Sequence, residues 1–186
     1  SVKEIIKKQK QRNPLAPFTT STLQQEASRR LYFSARQTMD TAQKLYQGTE
    51  INGETIGLIT YMRTDGVQID ASVIETIRSI INSDLGEDYV PKAPRHYSSK
   101  AKNAQEAHEA IRPSDPALRP KDVEQYITKD QLKLYELIWK RTMASQTASA
   151  VLDQVTIITT SNTDDITLRA SGSVIKFPGF LKIYSD

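Results

Sequence analysis

With 186 residues, of which 38% are hydrophobic and 25% charged, the chain can form one large domain or two small ones. No apolar run approaches the roughly 18 residues of a membrane span, and the absence of cysteine excludes disulfides and a thiolate nucleophile. The net charge is only +3, but residues 1–50 carry nine Lys and Arg against four Asp and Glu. This basic segment is either a solvated surface or one that follows a phosphate backbone.

The first third of the chain predicts a strand, two helices and a hairpin. It opens on Ser1-Val2-Lys3-Glu4, without an initiator methionine or a signal peptide, so we expect an internal piece of a longer protein. The predicted elements are a strand or extended arm at 3–12, a helix start at 19–24, a helix at about 34–46 and a loop at 48–57. Two residue pairs fit a capping box for the first helix: Ser21 with Gln24, or Thr22 with Gln25.

The first two helices each show an apolar stripe, and the loop after them has a hairpin signal. The stripe of the second helix consists of Met39, Ala42, Leu45 and Tyr46, and that helix is expected to stop at Gly48. The loop contains Asn52-Gly53, a pair that favours a tight hairpin turn.

The rest of the chain predicts helices first and strands last. The elements are a short strand at 58–64, helices at about 71–84, 104–111 and 128–149, and strands at 151–160, 166–170 and 173–184, with an irregular segment at 88–103. A turn at Gly172 separates the last two strands. The predicted class is therefore α+β, with a helical domain (29–149) inserted into a β-rich domain formed by residues 1–28 and 150–186.

The segment around Tyr61 is the first candidate for chemistry. Alternation along a strand would place Tyr61, Arg63 and Asp65 on one face. A phenol can act as a nucleophile where a cation stabilises the charge that develops, a guanidinium can clamp a phosphate, and a carboxylate can hold that guanidinium in place. The alternative is a surface strand on which an Arg–Asp pair packs beside a tyrosine.

The segment around His108 is the second candidate. On the predicted helix, His108 and Arg112 lie four residues apart on one face, where they could grip neighbouring phosphates. A zinc-protease motif begins at His108-Glu109, but Arg112 stands where the second histidine is needed. A plain helix surface remains the alternative, and no metal or cofactor site is predicted in the chain.

A run of four hydroxyl residues, 19–22, stands at the predicted start of the first helix. Free backbone N–H groups at a helix start also favour anions, so the run is compatible with anion binding as well as with capping. No phosphate-binding loop with the Gly-x4-Gly-Lys-Ser/Thr pattern is present, and nothing indicates ATP or GTP use.

Three blocks of the sequence together resemble the motifs of type IA DNA topoisomerases. The blocks are PFTTSTLQQ at 17–25, GLITYMRTD at 57–65 and QEAHEAIRP at 105–113. Their order and spacing fit the family, and the methionine after the tyrosine is similar to bacterial topoisomerase I. The resemblance extends over nearly the whole chain. Gly66 departs from it, because a serine is usual at that position.

The resemblance implies roles for the candidate residues. Tyr61 would be the nucleophile that holds a DNA 5′-phosphate as a phosphotyrosine ester, and Arg63 would bind the scissile phosphate and stabilise its transition-state charge. His108 would hydrogen-bond the DNA backbone near the cut. Supporting DNA contacts are implied for Arg112, Asp65 and Thr60.

The resemblance also implies what the rest of the enzyme does. Such enzymes relax negative supercoils without ATP, because exchanging one phosphoester for another keeps the bond energy. Mg²⁺ and the acid/base groups belong to a Toprim domain, whose acidic motif this sequence lacks, so we expect the chain to be inactive alone. The implied partners are DNA, single-stranded or negatively supercoiled, and that Toprim domain. The implied location is the cytoplasm, at the nucleoid and not at a membrane.

A second class of function is compatible with the composition and the charge. In a non-catalytic module for single-stranded nucleic acid, the tyrosine would only stack on a base. An acidic Toprim segment upstream in the parent protein would distinguish the enzyme from this module.

Overall fold

The computed structural model describes residues 2–98, 109–161, 163 and 166–185, and within them the chain is α+β as predicted. The helices are α1 (Thr20–Leu31), α2 (Ala35–Gln47), α3 (Ala71–Leu85), α4 (Pro120–Val123) and α5 (Lys129–Ser145). The strands are β1 (Val2–Arg12), β2 (Thr49–Ile51), β3 (Glu54–Ile56), β4 (Ala150–Thr160) and β5 (Thr167–Phe177). Short 3₁₀ turns lie at Glu87–Tyr89, Glu124–Tyr126 and Gly179–Lys182. None of the helices in these ranges is long and apolar enough to cross a membrane.

The larger sheet joins the two ends of the chain. Its order is β1-β4-β5, and the central strand β4 pairs antiparallel with both neighbours, as in Lys8 opposite Gln154 and Gln154 opposite Ser173. The smaller sheet is the hairpin β2–β3. Asn52 and Gly53 at its tip have φ values of 54° and 88°, the positive angles that a two-residue hairpin turn requires, so the hairpin prediction is confirmed.

Hydroxyl side chains cap α1, α2 and α5, although the cap of α1 lies earlier than predicted. Thr19 caps α1 in a reciprocal pair with Thr22, instead of Ser21 with Gln24 or Thr22 with Gln25. A threonine at the third helical position can itself return the bond to the cap residue, so no glutamine is needed. Helix α5 starts at its capping residue Thr128, as predicted.

The main core lies between α1, α2 and α5. Its most deeply buried side chains from these helices are Leu23, Ala27, Ala42, Leu45, Leu134, Tyr135 and Ile138. Helix α3 buries Ile74, Ile77 and Ile81, and the last two pack with Met143 of α5. Two non-helical segments also enter the main core, one through Leu58 and Ile59 and the other through Ile111.

Two predicted elements in the middle of the chain are wrong. Residues 58–64 do not form a strand, because among the described residues only Ile59 makes a bridge, to Pro113, and no neighbouring strand continues the ladder. Residues 109–111 are extended instead of helical, with bridges from Glu109 to Gln68 and from Ile111 to Phe18. Burial of Ala110 and Ile111 between other segments overrides the weak local helix signal. The remainder of that predicted helix, residues 104–108, lies outside the described residues.

The predicted elements near the end of the chain also need correction. Gly172 is not a turn, because it stays paired with Val155 inside the single strand β5. Residues 179–182 form a 3₁₀ turn where a strand was predicted, since the chain leaves the sheet at Pro178. Helix α5 ends at Ser145, four residues early, because the next backbone N–H groups leave the helical pattern. Those of Gln146 and Thr147 donate only three residues back, and that of Ala148 donates to Tyr89 O at 2.8 Å.

Candidate active site

Tyr61 lies in a segment without regular structure, residues 57–66, which connects β3 to the loop before α3. Its side chain is 50% exposed, and Arg63 and Asp65 are exposed as well. Met62, between them, is 4% exposed and points into the core. The three side chains that alternation predicted to share a face therefore all lie at the surface, although the segment is not a strand.

Helix α2 contacts this segment at its C-terminal end. The Tyr46 ring meets the Tyr61 ring edge-on, with 5.4 Å between centroids and 66° between planes. The backbone N–H of Leu58 donates to Leu45 O at 2.8 Å. A Cβ at Gly57 would lie 2.7 Å from Tyr46 O, so only glycine permits this approach.

Tyr46 corrects a sequence prediction. Tyr46 was predicted on the same stripe of the second helix as Leu45, but Tyr46 is 43% exposed whereas Leu45 is buried. The last turn of α2 lies at the edge of the core, where one side of the ring can pack on Tyr61 while the rest faces solvent. Tyr46 was therefore missed as a site residue, and only its spatial proximity to Tyr61 identifies it.

The start of α1 binds the segment from one side through Thr20. The Thr20 hydroxyl donates to Met62 O at 2.7 Å and lies 3.1 Å from Thr64 O, and it accepts from the Thr64 N–H at 2.9 Å. The Thr20 N–H also donates to Thr64 O at 2.9 Å. The sequence placed Thr20 in a hydroxyl run but gave no signal of this contact, which spans more than forty residues.

The segment 110–112 binds from the other side through Thr60. The Thr60 N–H donates to Arg112 O at 2.9 Å, and its hydroxyl donates to Ala110 O at 2.7 Å. The same hydroxyl accepts from the Arg112 N–H at 3.0 Å. Thr60, one of the predicted DNA contacts, thus uses its donor within the protein.

Arg112 is buried, and among the described residues its side chain hydrogen-bonds to its own segment. The side chain is 10% exposed, and Nη2 donates to both carboxylate oxygens of Glu109, at 3.0 and 2.8 Å. Nη1 donates to Pro113 O at 2.9 Å and lies 3.3 Å from Ser114 O. Its predicted helical neighbour His108 lies outside the described residues.

Arg63 has a different environment. In the described part of the chain, its guanidinium has no hydrogen bond and no ion pair, and the pairing with Asp65 suggested by the sequence does not form there. Within the same ranges, no group of three or more acidic or histidine side chains comes together to hold a metal. The site therefore offers an accessible phenol and an available guanidinium on a firmly held segment.

The comparisons with known proteins all indicate the same family. The sequence model of the family described as DNA topoisomerase matches residues 1–186. DNA topoisomerase 1 of Rickettsia bellii is 53% identical over 185 residues, covering 100% of this chain and 23% of that protein. DNA topoisomerase 1 of Xylella fastidiosa, strain Temecula1, is 44% identical over 186 residues, again covering 100% of this chain and 23% of that protein.

A solved structure supports the same relationship. Full-length topoisomerase I from Thermotoga maritima superposes with a TM-score of 0.86 at 36% identity. The match covers 98% of this chain and 29% of that one. The chain thus spans about a quarter of the length of the relatives that it matches.

Proposed function

Because the chain belongs to the type IA family of bacterial DNA topoisomerases, we propose that it carries the nucleophile of a longer enzyme that transiently cleaves one DNA strand. The observation that carries the proposal is the setting of Tyr61. Its phenol is half exposed, while hydrogen bonds from Thr20 and Thr60 hold the backbone on either side of it. A nucleophile needs both access to its substrate and a fixed position.

In the proposed reaction, Tyr61 Oη attacks a backbone phosphorus of single-stranded DNA. The Oη–P bond forms and the P–O3′ bond breaks, so the 5′-phosphate stays on the tyrosine and the strand end becomes a 3′-hydroxyl. The phenol loses a proton and the leaving oxygen gains one. The 3′-hydroxyl reverses the exchange after strand passage, and because one phosphoester replaces another, relaxation of negative supercoils needs no ATP.

Arg63 is the proposed phosphate ligand in this chain. Its guanidinium is exposed and has no partner among the described residues, so two of its N–H groups can bind two phosphate oxygens at once. Charge that builds on the phosphate in the transition state would strengthen these bonds. Asp65 is exposed beside it and remains a proposed supporting residue.

The other proposed DNA contacts divide into two groups. A contact from His108 to the DNA backbone is proposed on the resemblance alone. For Thr60 and Arg112, the hydrogen bonds within the protein favour a supporting role over direct contact with DNA. Thr60 joins the Tyr61 segment to residues 110–112, and Arg112 holds that neighbouring segment together.

The proposed place of the chain in the enzyme follows from the sheet. We propose that residues 1–28 and 150–186 are two parts of a β-rich gate, with residues 29–149 as the helical domain between them. The pairing of β1 with β4 supports this division, although residue 28 itself lies inside α1. Mg²⁺ and the acid/base groups would belong to a Toprim domain outside this chain, in a cytoplasmic enzyme acting on DNA.

A cleavage assay with the full-length protein tests the proposal. Single-stranded DNA labelled at its 3′ end should become covalently attached to the wild-type protein and to a Tyr32→Phe control, whose ring is 89% exposed. Tyr61→Phe should form no adduct yet bind the DNA with an affinity within about twofold of wild type, because only the phenolic oxygen is lost. DNA binding without an adduct from the wild type would instead favour the non-catalytic module.

A further inference from the structure

The Thr20 hydroxyl makes hydrogen bonds to the backbone of the Tyr61 segment that a neighbouring strand would make in a sheet. The Tyr61 segment forms no β-ladder with any described part of the chain, so its backbone needs other hydrogen-bond partners to keep Tyr61 and Arg63 in place. We propose that the Thr20 hydroxyl is a positioning residue for the cleavage reaction and fixes the backbone on both sides of Arg63. This inference rests on the proposed function and extends it to a residue of α1.

The geometry explains why one hydroxyl is enough. A threonine hydroxyl has one donor and two acceptor sites. Here it donates to Met62 O, just before Arg63, and accepts from the Thr64 N–H, just after it. With Met62 buried and Thr64 held in this way, the side chains of Tyr61 and Arg63 are left to face outward.

The hydroxyl of Thr20 is available because its neighbour does the capping. Thr19 accepts from the Thr22 N–H at 3.3 Å, and the Thr22 hydroxyl accepts from the Thr19 N–H at 2.9 Å. The side chain of Leu23, one position further, is fully buried. The first turn of α1 is therefore fixed independently of Thr20, and it presents that hydroxyl to the Tyr61 segment from a rigid base.

Loss of the hydroxyl should slow the chemistry without weakening the DNA complex. Thr20→Val keeps the shape of the side chain but leaves the Thr64 N–H and Met62 O without this partner. A shift of about 1 Å in a reacting group can cost on the order of 100-fold in rate. We therefore expect adduct formation by Thr20→Val to slow by at least about tenfold.

The test compares three variants of the full-length protein. Thr20→Val removes the hydroxyl and Thr20→Ser restores it. Thr76→Val makes the same change on α3, where the hydroxyl donates to Ser72 O of its own helix. The measurements are the single-turnover rate of adduct formation, the affinity for the same DNA, and the thermal unfolding midpoint. We expect Thr20→Ser and Thr76→Val to react within about threefold of wild type, and all three variants to bind DNA within about twofold.

The possible outcomes separate this inference from the proposed function. If wild type forms the adduct and Thr20→Val forms it at the same rate, the positioning role is wrong and the proposed function stands. If Thr20→Val and Thr20→Ser slow adduct formation equally, the hydroxyl is not responsible for the effect. If Thr20→Val is unfolded, the slower reaction reflects lost folding. Either result overturns the inference. If wild type forms no adduct, or if Tyr61→Phe still forms one, the proposed function itself fails.

Discussion

Replacing Arg112 by methionine should destabilise the chain strongly, because its guanidinium hydrogen-bonds to three residues of its own segment. Methionine keeps most of the apolar stem but removes the bonds to Glu109, Pro113 O and Ser114 O. A hydrogen bond to a charged group contributes about 1.5–3 kcal/mol. Glu109 is 38% exposed, so water can solvate its freed carboxylate and reduce the loss. The expected cost is about 2–3 kcal/mol in the free energy of unfolding.

Urea unfolding of the 186-residue chain, followed by far-ultraviolet circular dichroism, measures this cost. With a slope of about 2 kcal/mol per molar urea, the midpoint should fall by about 1–1.5 M. The matched control is Arg36→Met, which removes an exposed pair with Asp40 at 3.8 Å and should change stability by less than about 0.5 kcal/mol. Equal midpoints for Arg112→Met and wild type, together with weaker DNA binding by the full-length variant, would refute the structural role of Arg112.

Three further predictions concern activity and pH. Arg63→Lys in the full-length protein should slow plasmid relaxation at least about tenfold, since an ammonium group cannot grip two phosphate oxygens as a guanidinium does; a rate within about twofold of wild type would make Arg63 structural. Partial burial raises the pKa of Glu26, but hydrogen bonds from Arg29, Tyr184 and Arg30 outweigh it and lower that pKa from 4.5 to about 2. Because the folded pKa lies below the unfolded value, this stabilisation is complete above about pH 5 and is lost as the pH falls toward 2. In urea unfolding, Glu26→Gln should therefore cost about 1–2 kcal/mol at about pH 7 and progressively less below about pH 4, and a cost that does not change with pH would contradict this. The 186-residue chain alone should neither cleave nor relax supercoiled plasmid, with or without Mg²⁺, because the acid/base groups are proposed to lie elsewhere; relaxed topoisomers would contradict that division.

Elements with a strong local signal were predicted well from the sequence. Helix α3 was predicted at about 71–84 because apolar residues recur there at helical spacing, and three of them, Ile74, Ile77 and Ile81, form its buried face. The hairpin follows from Asn52-Gly53, because few residue pairs adopt the required positive φ angles. In both cases the residues that carry the signal are adjacent or one turn apart, so the local sequence is enough.

The segments around the site were predicted less well because distant contacts determine their structure. The alternating exposure of residues 61–65 resembles that of a strand. Here it results from the hydrogen bond of Thr20 to Met62 O and from that of Thr60 to Ala110 O. Arg112 was expected to bind phosphate, and its burial depends on Glu109 folding back onto it in an extended segment. Sequence reasoning found the accessible side chains of the site, while the groups that hold them became visible only in the structure.

Mapping the covalent adduct identifies the nucleophile by its position in the sequence. The full-length protein is allowed to react with single-stranded DNA, treated with nuclease and trypsin, and analysed by tandem mass spectrometry. Cleavage after Lys44 and Arg63 gives one peptide, residues 45–63, which contains both Tyr46 and Tyr61 and thus provides its own control. We expect a nucleotide remnant on Tyr61 and an unmodified Tyr46. A remnant on Tyr46, or on a peptide outside this segment, would contradict this expectation.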